Sequence, residues 1–405
     1  MTRTAVSRPT PGASFNSGLN RLALCAMCAM CALAAACALA SAQAEPVGAV
    51  AAVVAAAEQA LVNGDTAAAT AGFERAAAMQ HDGATEMGLV RAALQVGDYR
   101  QALAFCAHTA AAHADEPAAG ALYAWLLRAG GQPAEARRVL DQTQARAPRH
   151  AVVEATRRAL ESEVPIAAGV LLDAPHRMAP QALMQGGQPA LPSDARTVAA
   201  GVLVGDGQRA LVPVAAIEGA RRIWVRNGLG RATEAVPDSS APQALRDHGV
   251  LLLRLQDSLP AEPMLLAPRD PFAGSPGFAI GYPPTADAAP AWPMLREGFL
   301  GAADGREGLR KLGIEWPAAL QGGPVFDAAG RLAGVTLQQG AQGGASYGAQ
   351  GASLLPVSMF RALTQASSGG FAEPLASVPA APGRIAPDAA YERALKIALQ
   401  VIVQR

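Results

Sequence analysis

The sequence predicts an α plus all-β multidomain protein: an α-helical repeat array followed by a domain of short strands. Three observations carry that prediction. A Gly-centred pattern recurs at near-constant spacing through the first part of the chain. Beyond Val164 the helical period gives way to short apolar runs punctuated by Gly, Pro, Asn and Asp. Ahead of both lies a leader over residues 1–44 whose composition differs from everything after it.

The leader carries Arg3, Arg8 and Arg21, then an uncharged run from Leu22 to Ala40, then Ser41-Ala42-Gln43-Ala44 before Glu45-Pro46. A basic start, an apolar stretch and small residues at the cleavage positions define a secretory signal peptide, with cleavage expected after Ala44. The run also approaches the length that spans a bilayer. Ala34-Ala35-Ala36-Cys37 is a weaker alternative as a lipoprotein box, because it lacks the usual Leu. The expectation is a periplasmic or secreted protein with no transmembrane domain after cleavage.

Charge and cysteine use fit this division. The chain has 33 Lys+Arg and 33 Asp+Glu. The leader supplies three Arg and no acid, so the remainder carries −3, which argues against a nucleic-acid partner. Cys25, Cys28, Cys31 and Cys37 lie in the apolar run and leave with it. Cys106 alone remains, so neither an intrachain disulfide nor a Cys-based zinc or redox site is expected. With 51% hydrophobic but only 4% aromatic residues, the cores must be built largely from small side chains.

From residue 45 to 163 the chain is Ala-rich and helical in period. Gly64, Gly97 and Gly131 occupy equivalent turns, spaced 33 and 34 residues apart. Five residues after each comes Ala69, Ala102 or Ala136, and four beyond that comes Phe73, Cys106 or Leu140. Pro148 closes the third unit. The pattern resembles the tetratricopeptide repeat, a helix-turn-helix unit in which Gly permits the turn and Ala lets the helices approach. The resemblance implies a concave surface suited to a peptide or protein, although Tyr123 and Trp125 are as compatible with core as with contact. The histidines of this region, His81, His108, His113 and His150, show no paired ligand spacing, so no metal site and no cofactor are expected.

Residues 164–366 read as an all-β domain. Its expected strands are Ala167–Leu172, Thr197–Val204, Arg209–Val214, Arg222–Val225, Val250–Leu255, Gly277–Ile280, Gly322–Phe326 and Leu332–Leu337, with a helix around Met359–Thr364. Ala200-Gly201-Val202-Leu203-Val204, Val250-Leu251-Leu252-Leu253-Arg254-Leu255, Ile280-Gly281-Tyr282-Pro283 and Gly322-Gly323-Pro324-Val325-Phe326-Asp327, in that order, resemble trypsin-like serine proteases of the HtrA type. The resemblance implies a double β-barrel and places a catalytic triad at three positions of this chain. Those positions hold Ala215 for the His base, Gly249 for the orienting Asp and Gln321 for the nucleophilic Ser.

Acyl transfer needs a hydroxyl activated by a base whose tautomer a third group fixes. A Gln amide, a methyl group and a hydrogen supply none of this, and losing the nucleophile or base alone costs about 10⁶ in turnover where triads have been dissected. Ala319 also stands where the family places an oxyanion-hole Gly. Asp247 and His248 precede the apolar strand, with Asp247 expected on the same face about 6–7 Å away; His248 reads as a solvated strand-end residue. Ser353 and Ser358 fall in the closing segment. The peptide-cleft candidates are therefore Ala319, Gln321, Gly322 and Gly323, with the Gln321 amide either a neutral filler or a hydrogen-bonding group for a peptide added as a strand.

A Pro-rich linker over 367–387 precedes a last element, 388–405, that suits a helix or a strand and is expected to dock on one of the two domains. The sequence thus points to an exported pseudoprotease serving as a peptide or protein adaptor. An active serine endopeptidase with a non-standard site and a structural subunit of an envelope assembly remain open as alternatives. Oligomeric state is not legible.

Overall fold

A computed structural model describes residues 48–184, 189–261, 264–303, 308–317, 320–337, 352–365 and 383–405. The leader expected over 1–44, Ala319 and most of the Pro-rich linker lie outside the described residues. Residues 48–52 are helical, and residues 53–405 form one compact unit. Among the described residues no helix is long and apolar enough to cross a membrane.

The compact unit opens with seven helices: α1 (residues 53–63), α2 (Thr66–Met79), α3 (Gly83–Val96), α4 (Tyr99–Ala112), α5 (Pro117–Ala129), α6 (Pro133–Arg146) and α7 (Ala151–Glu161). Gly64, Gly97 and Gly131 sit in the turns joining paired helices with φ of +79°, +89° and +82°, a region open to Gly at little cost. Ala69, Ala102 and Ala136 are buried, as are Phe73, Cys106 and Leu140. The small residues do what the repeat pattern requires: a Cβ on Gly88 of α3 would lie 2.4 Å from the Phe73 ring of α2. Asp65 and Asp82 cap α2 and α3 by accepting from Ala68 N and Thr85 N at 3.0 and 2.8 Å, and Pro117 and Pro133 start their helices where a missing N–H costs nothing.

Two closed six-stranded barrels follow. The strands are β1 (Arg196–Val204), β2 (Arg209–Pro213), β3 (Arg222–Asn227), β4 (Ala232–Pro237), β5 (Val250–Leu255), β6 (Ser275–Gly281), β7 (Met294–Ala303), β8 (Arg310–Gly313), β9 (Pro324–Asp327), β10 (Leu332–Leu337), β11 (Ser353–Pro356) and β12 (Ala398–Gln404). Two short helices, α8 (Val214–Ile217) and α9 (Gln243–Asp247), interrupt the first barrel; α10 (Val357–Gln365) follows the second, and α11 (Pro387–Ile397) leads into β12. The barrel orders are β1-β12-β3-β4-β5-β2 and β10-β11-β8-β7-β6-β9, each antiparallel throughout.

Three sequence expectations need correction. Ala167–Leu172 is not a strand; Gly169–Leu172 forms a 3-10 turn, entered through Gly169 at φ +56°. Strands β4, β7, β8 and β11 were not among the expected strands, because β4 ends in two exposed residues, β7 carries Gly298 and Gly301, β8 holds only four residues, Lys311 and Gly313 exposed among them, and β11 is also only four residues long. The largest correction concerns the chain end. The barrel domain read over 164–366 lacks its sixth strand, since β12 fills the gap between β1 and β3 with six residue pairs on each side. The last element is both helix and strand, and α11 contacts both α4 and the second barrel. One continuous core runs from α3 through both barrels to Val401.

His176, in the segment between α7 and β1, makes that core sensitive to acid. Its Nε2 lies 3.1 Å from Glu116 Oε1, while Nδ1 is buried with no partner. Adding a proton would therefore place an unsatisfied N–H in the interior. Burial, with Arg91 and His150 nearby, holds its pKa down to about 4 against an ordinary 6.5. The unfolded chain thus binds more protons between those values, so stability is full above pH 6.5 and falls as pH drops toward 4. The expected loss across that window is about 3 kcal/mol. Urea titrations across this range should show the slope in the native chain and a shallower one in His176→Leu; parallel slopes would refute the assignment.

Candidate functional site

The fold brings the three triad positions together. Ala215 is exposed on α8, directly after the Pro213 that ends β2. Gly249 starts the approach to β5, and its carbonyl accepts a hydrogen bond from Val214 N at 3.0 Å, placing it beside Ala215. Gln321 comes from the second barrel, and its carbonyl accepts from Ala200 N of β1 at 2.8 Å. Ala215 and Gln321 line one open cleft of about 410 Å³, together with Arg196, Thr197, Val198, Ala216, Arg405 and the segment Pro284–Ala286.

Gly322 and Gly323 stand behind this cleft rather than in it, and both are buried. A Cβ on Gly322 would lie 2.1 Å from Ala200 O, and one on Gly323 would lie 1.8 Å from Ile280 O. Their N–H groups donate to Thr336 O at 2.8 Å and Thr336 Oγ1 at 3.0 Å. Gly322 therefore sets how closely the barrels meet and Gly323 how closely its segment approaches β6 within the second barrel, and the amides of both are already committed to Thr336. Of the four peptide-cleft candidates, Gln321 reaches the cleft, the two glycines support it, and Ala319 lies outside the described residues.

The alternative nucleophile and base candidates are elsewhere. Asp247 ends α9 instead of lying on a strand face, and Gln243 Nε2 donates to it at 3.2 Å; His248 caps that helix. Ser353 is buried within β11. Ser358, at the start of α10, donates its hydroxyl to Asp270 Oδ2 at 2.7 Å. Cys106 is buried, and burial pushes its thiol far above the ordinary range, which makes it a poor nucleophile.

The cleft has its own chemistry. Its lining holds two arginines, two threonines and Gln321, with no Ser, Cys, His or acid among the described lining residues. Thr285 donates its hydroxyl to Asp287 O at 2.7 Å, and Gln400 of β12 donates to Thr197 Oγ1 at 3.4 Å. Arg405 Nη2 reaches Ala216 O at 3.4 Å, so the strand that closes the first barrel also delivers a cation to the cleft rim. Arg196, Thr197, Val198, Pro284–Ala286 and Arg405 escaped sequence reasoning. They are grouped by barrel closure, and no local spacing links residue 196 to 405.

Comparison with known proteins agrees with this architecture. A family model for the trypsin-like peptidase domain matches residues 195–335, and one for the tetratricopeptide repeat matches residues 93–160. Among solved structures, a serine endoprotease from Yersinia pestis is 19% identical with a TM-score of 0.32, covering 41% of this chain and 56% of that one. The HtrA-type protease AlgW with tripeptide is 19% identical with a TM-score of 0.34, covering 43% and 58%. The Rv3671c protease in its inactive form is 16% identical with a TM-score of 0.32, covering 42% and 86%. The chain thus spans little more than half the length of the first two. No curated protein matches. The molecule joins a helical array, part of which matches the tetratricopeptide repeat model, to two closed barrels, most of which fall within the match to the trypsin-like peptidase domain model.

Proposed function

We propose that this chain is an exported, catalytically inactive relative of the trypsin-like peptidases that binds extended peptide segments of partner proteins. The observation that carries the proposal is the cleft: it is open at about 410 Å³, and its lining includes Ala215 and Gln321, the residues that the resemblance sets at the base and nucleophile positions. Its charged lining residues, Arg196 and Arg405, favour a segment bearing an acidic side chain. Both barrels are closed, so recognition runs through side chains and loops at the cleft rather than through a strand added to a long free edge. The helical array offers a second protein-binding surface of the kind such repeats provide.

The test combines three measurements on purified protein. A fluorophosphonate probe is expected to label no serine, and unfolded casein is expected to remain intact. Fluorescent acidic peptides are expected to bind more tightly than neutral ones of equal length, and Arg196→Glu to weaken them by about tenfold. Labelling with parallel cleavage would restore the serine endopeptidase reading. Failure of every peptide to bind would favour a structural subunit of an envelope assembly.

A further inference from the structure

The histidines that look unrelated in sequence converge in the fold. His81 lies between α2 and α3, Glu86 in the first turn of α3, His108 near the end of α4, and His113 at its C-terminal cap. His81 Nε2, Glu86 Oε1 and His113 Nε2 are positioned so that one ligand atom from each lies within 4.8 Å of the others. Glu86 Oε1 is the hub, at 2.5 Å from His81 Nε2, 3.5 Å from His113 Nε2 and 3.8 Å from His108 Nε2. The His81 and His113 rings meet edge-on at 4.9 Å between centroids.

Two further observations separate this group from an ordinary ion pair. His113 Nε2 is buried and has no hydrogen-bond partner, although it points at the hub. The other carboxylate oxygen, Glu86 Oε2, accepts from Thr109 Oγ1 at 2.6 Å, which fixes the orientation of the carboxylate. That is the support a metal-ligating carboxylate receives from an outer partner.

We propose that His81, Glu86 and His113 bind one divalent first-row transition ion of the zinc class, tying α3 to the end of α4 and to the α2–α3 connection. Ligand atoms bound at about 2.0–2.1 Å in a tetrahedron lie ~3.3 Å apart, close to the His113 distance from the hub. His81 need only swing outward by less than an ångström, and its side chain is 62% exposed. Two imidazoles and a carboxylate, with water completing the shell, suit zinc, cobalt or nickel better than the all-oxygen shells of magnesium or calcium. The ligands lie at 81, 86 and 113, on three separate segments.

Untagged full-length protein, its thiols blocked with N-ethylmaleimide so that the leader cysteines cannot compete, is stripped with chelator and titrated with Zn²⁺ and Co²⁺. A single equivalent is expected per chain, with a visible Co²⁺ ligand-field spectrum and a raised melting temperature. His81→Ala changes an exposed side chain, so it should keep the fold and weaken binding by at least about tenfold; Thr109→Val should weaken it by about 10–100-fold through the carboxylate it orients. His248→Ala should bind as the native chain does. Absence of the ligand-field spectrum, or undiminished binding in the His81→Ala variant, would overturn the site and leave a hydrogen-bonded ion cluster.

Discussion

A chain ending at Ile397 is expected not to fold. Removing residues 398–405 deletes Leu399, Val401, Ile402 and Val403, all fully buried. It also exposes the facing backbones of β1 and β3 along six residue pairs each. Truncating one large buried side chain costs about 2–5 kcal/mol, so four together match or exceed the total of about 5–15 kcal/mol that holds a typical domain folded. The buried Gln400 adds to the loss, because its amide donates to Ala289 O at 3.1 Å and its removal leaves that carbonyl unpaired. Circular dichroism should show the helices weakened as well as the strands, and urea unfolding should lose its cooperative transition. A synthetic peptide covering residues 387–405, added during refolding, should restore a protease-resistant core. A truncated chain that melts cooperatively near the native temperature would show that the first barrel closes without β12.

The helical array was the more legible half, because its signal is local. The turn glycines and buried alanines report a geometry that each repeat must satisfy alone, so the spacing of Gly64, Gly97 and Gly131 carried through directly to positive φ and buried partners. Strands β5 and β10 were legible to the residue, since both are continuous apolar runs buried along nearly their whole length. Strands β7 and β8 were hidden by glycines, exposed residues and short length, and their pairing is supplied by neighbours rather than by their own pattern. The closing strand shows the limit most clearly. Tyr391, Ala394, Leu395, Ala398, Leu399 and Ile402 continue at helical spacing, yet the chain switches to strand at Ala398 because the gap between β1 and β3 offers twelve paired positions that no local preference can outweigh.

The candidate site was legible only in part. Ala215, Gly249 and Gln321, the residues that the resemblance sets at the triad positions, come near one another in the fold, Ala215 and Gln321 lining one cleft and Gly249 bonded to Val214. What the cleft presents depends on Arg196 and Arg405, which line it together only when β12 pairs with β1 in the first barrel. The same reason concealed the histidine cluster: Glu86 and Thr109 come into contact across 23 residues of sequence, through the packing of α3 on α4.

Replacing Tyr391 by Ala is the second large expected effect, and it tests whether helices and barrels unfold together. The Tyr391 ring is buried where α11 meets both modules, with its centroid 4.5 Å from that of Tyr99 in α4 and its hydroxyl donating to Pro293 O at 2.8 Å ahead of β7. Tyr99 in turn donates to Leu126 O at 2.8 Å, so one aromatic pair links α4, α5, α11 and the second barrel. Loss of a large buried ring costs about 3–5 kcal/mol. Tyr391→Phe keeps the ring and should cost about 1–3 kcal/mol, the penalty for leaving the Pro293 carbonyl unpaired in the interior. Glu392→Gln removes only the partner of Arg100, whose side chain is 59% exposed, and should cost less than about 1 kcal/mol. The order Ala, Phe, then the Glu392 variant follows from burial alone. A double-mutant cycle between Tyr99 and Tyr391 should return a coupling of about 0.5–1.5 kcal/mol for the tilted rings. If the two modules are held as one cooperative unit by this joint, Tyr391→Ala should separate a single urea transition into two, the helical and the strand circular-dichroism signals then moving at different denaturant concentrations. One unshifted transition in that variant would place the coupling elsewhere in the shared core.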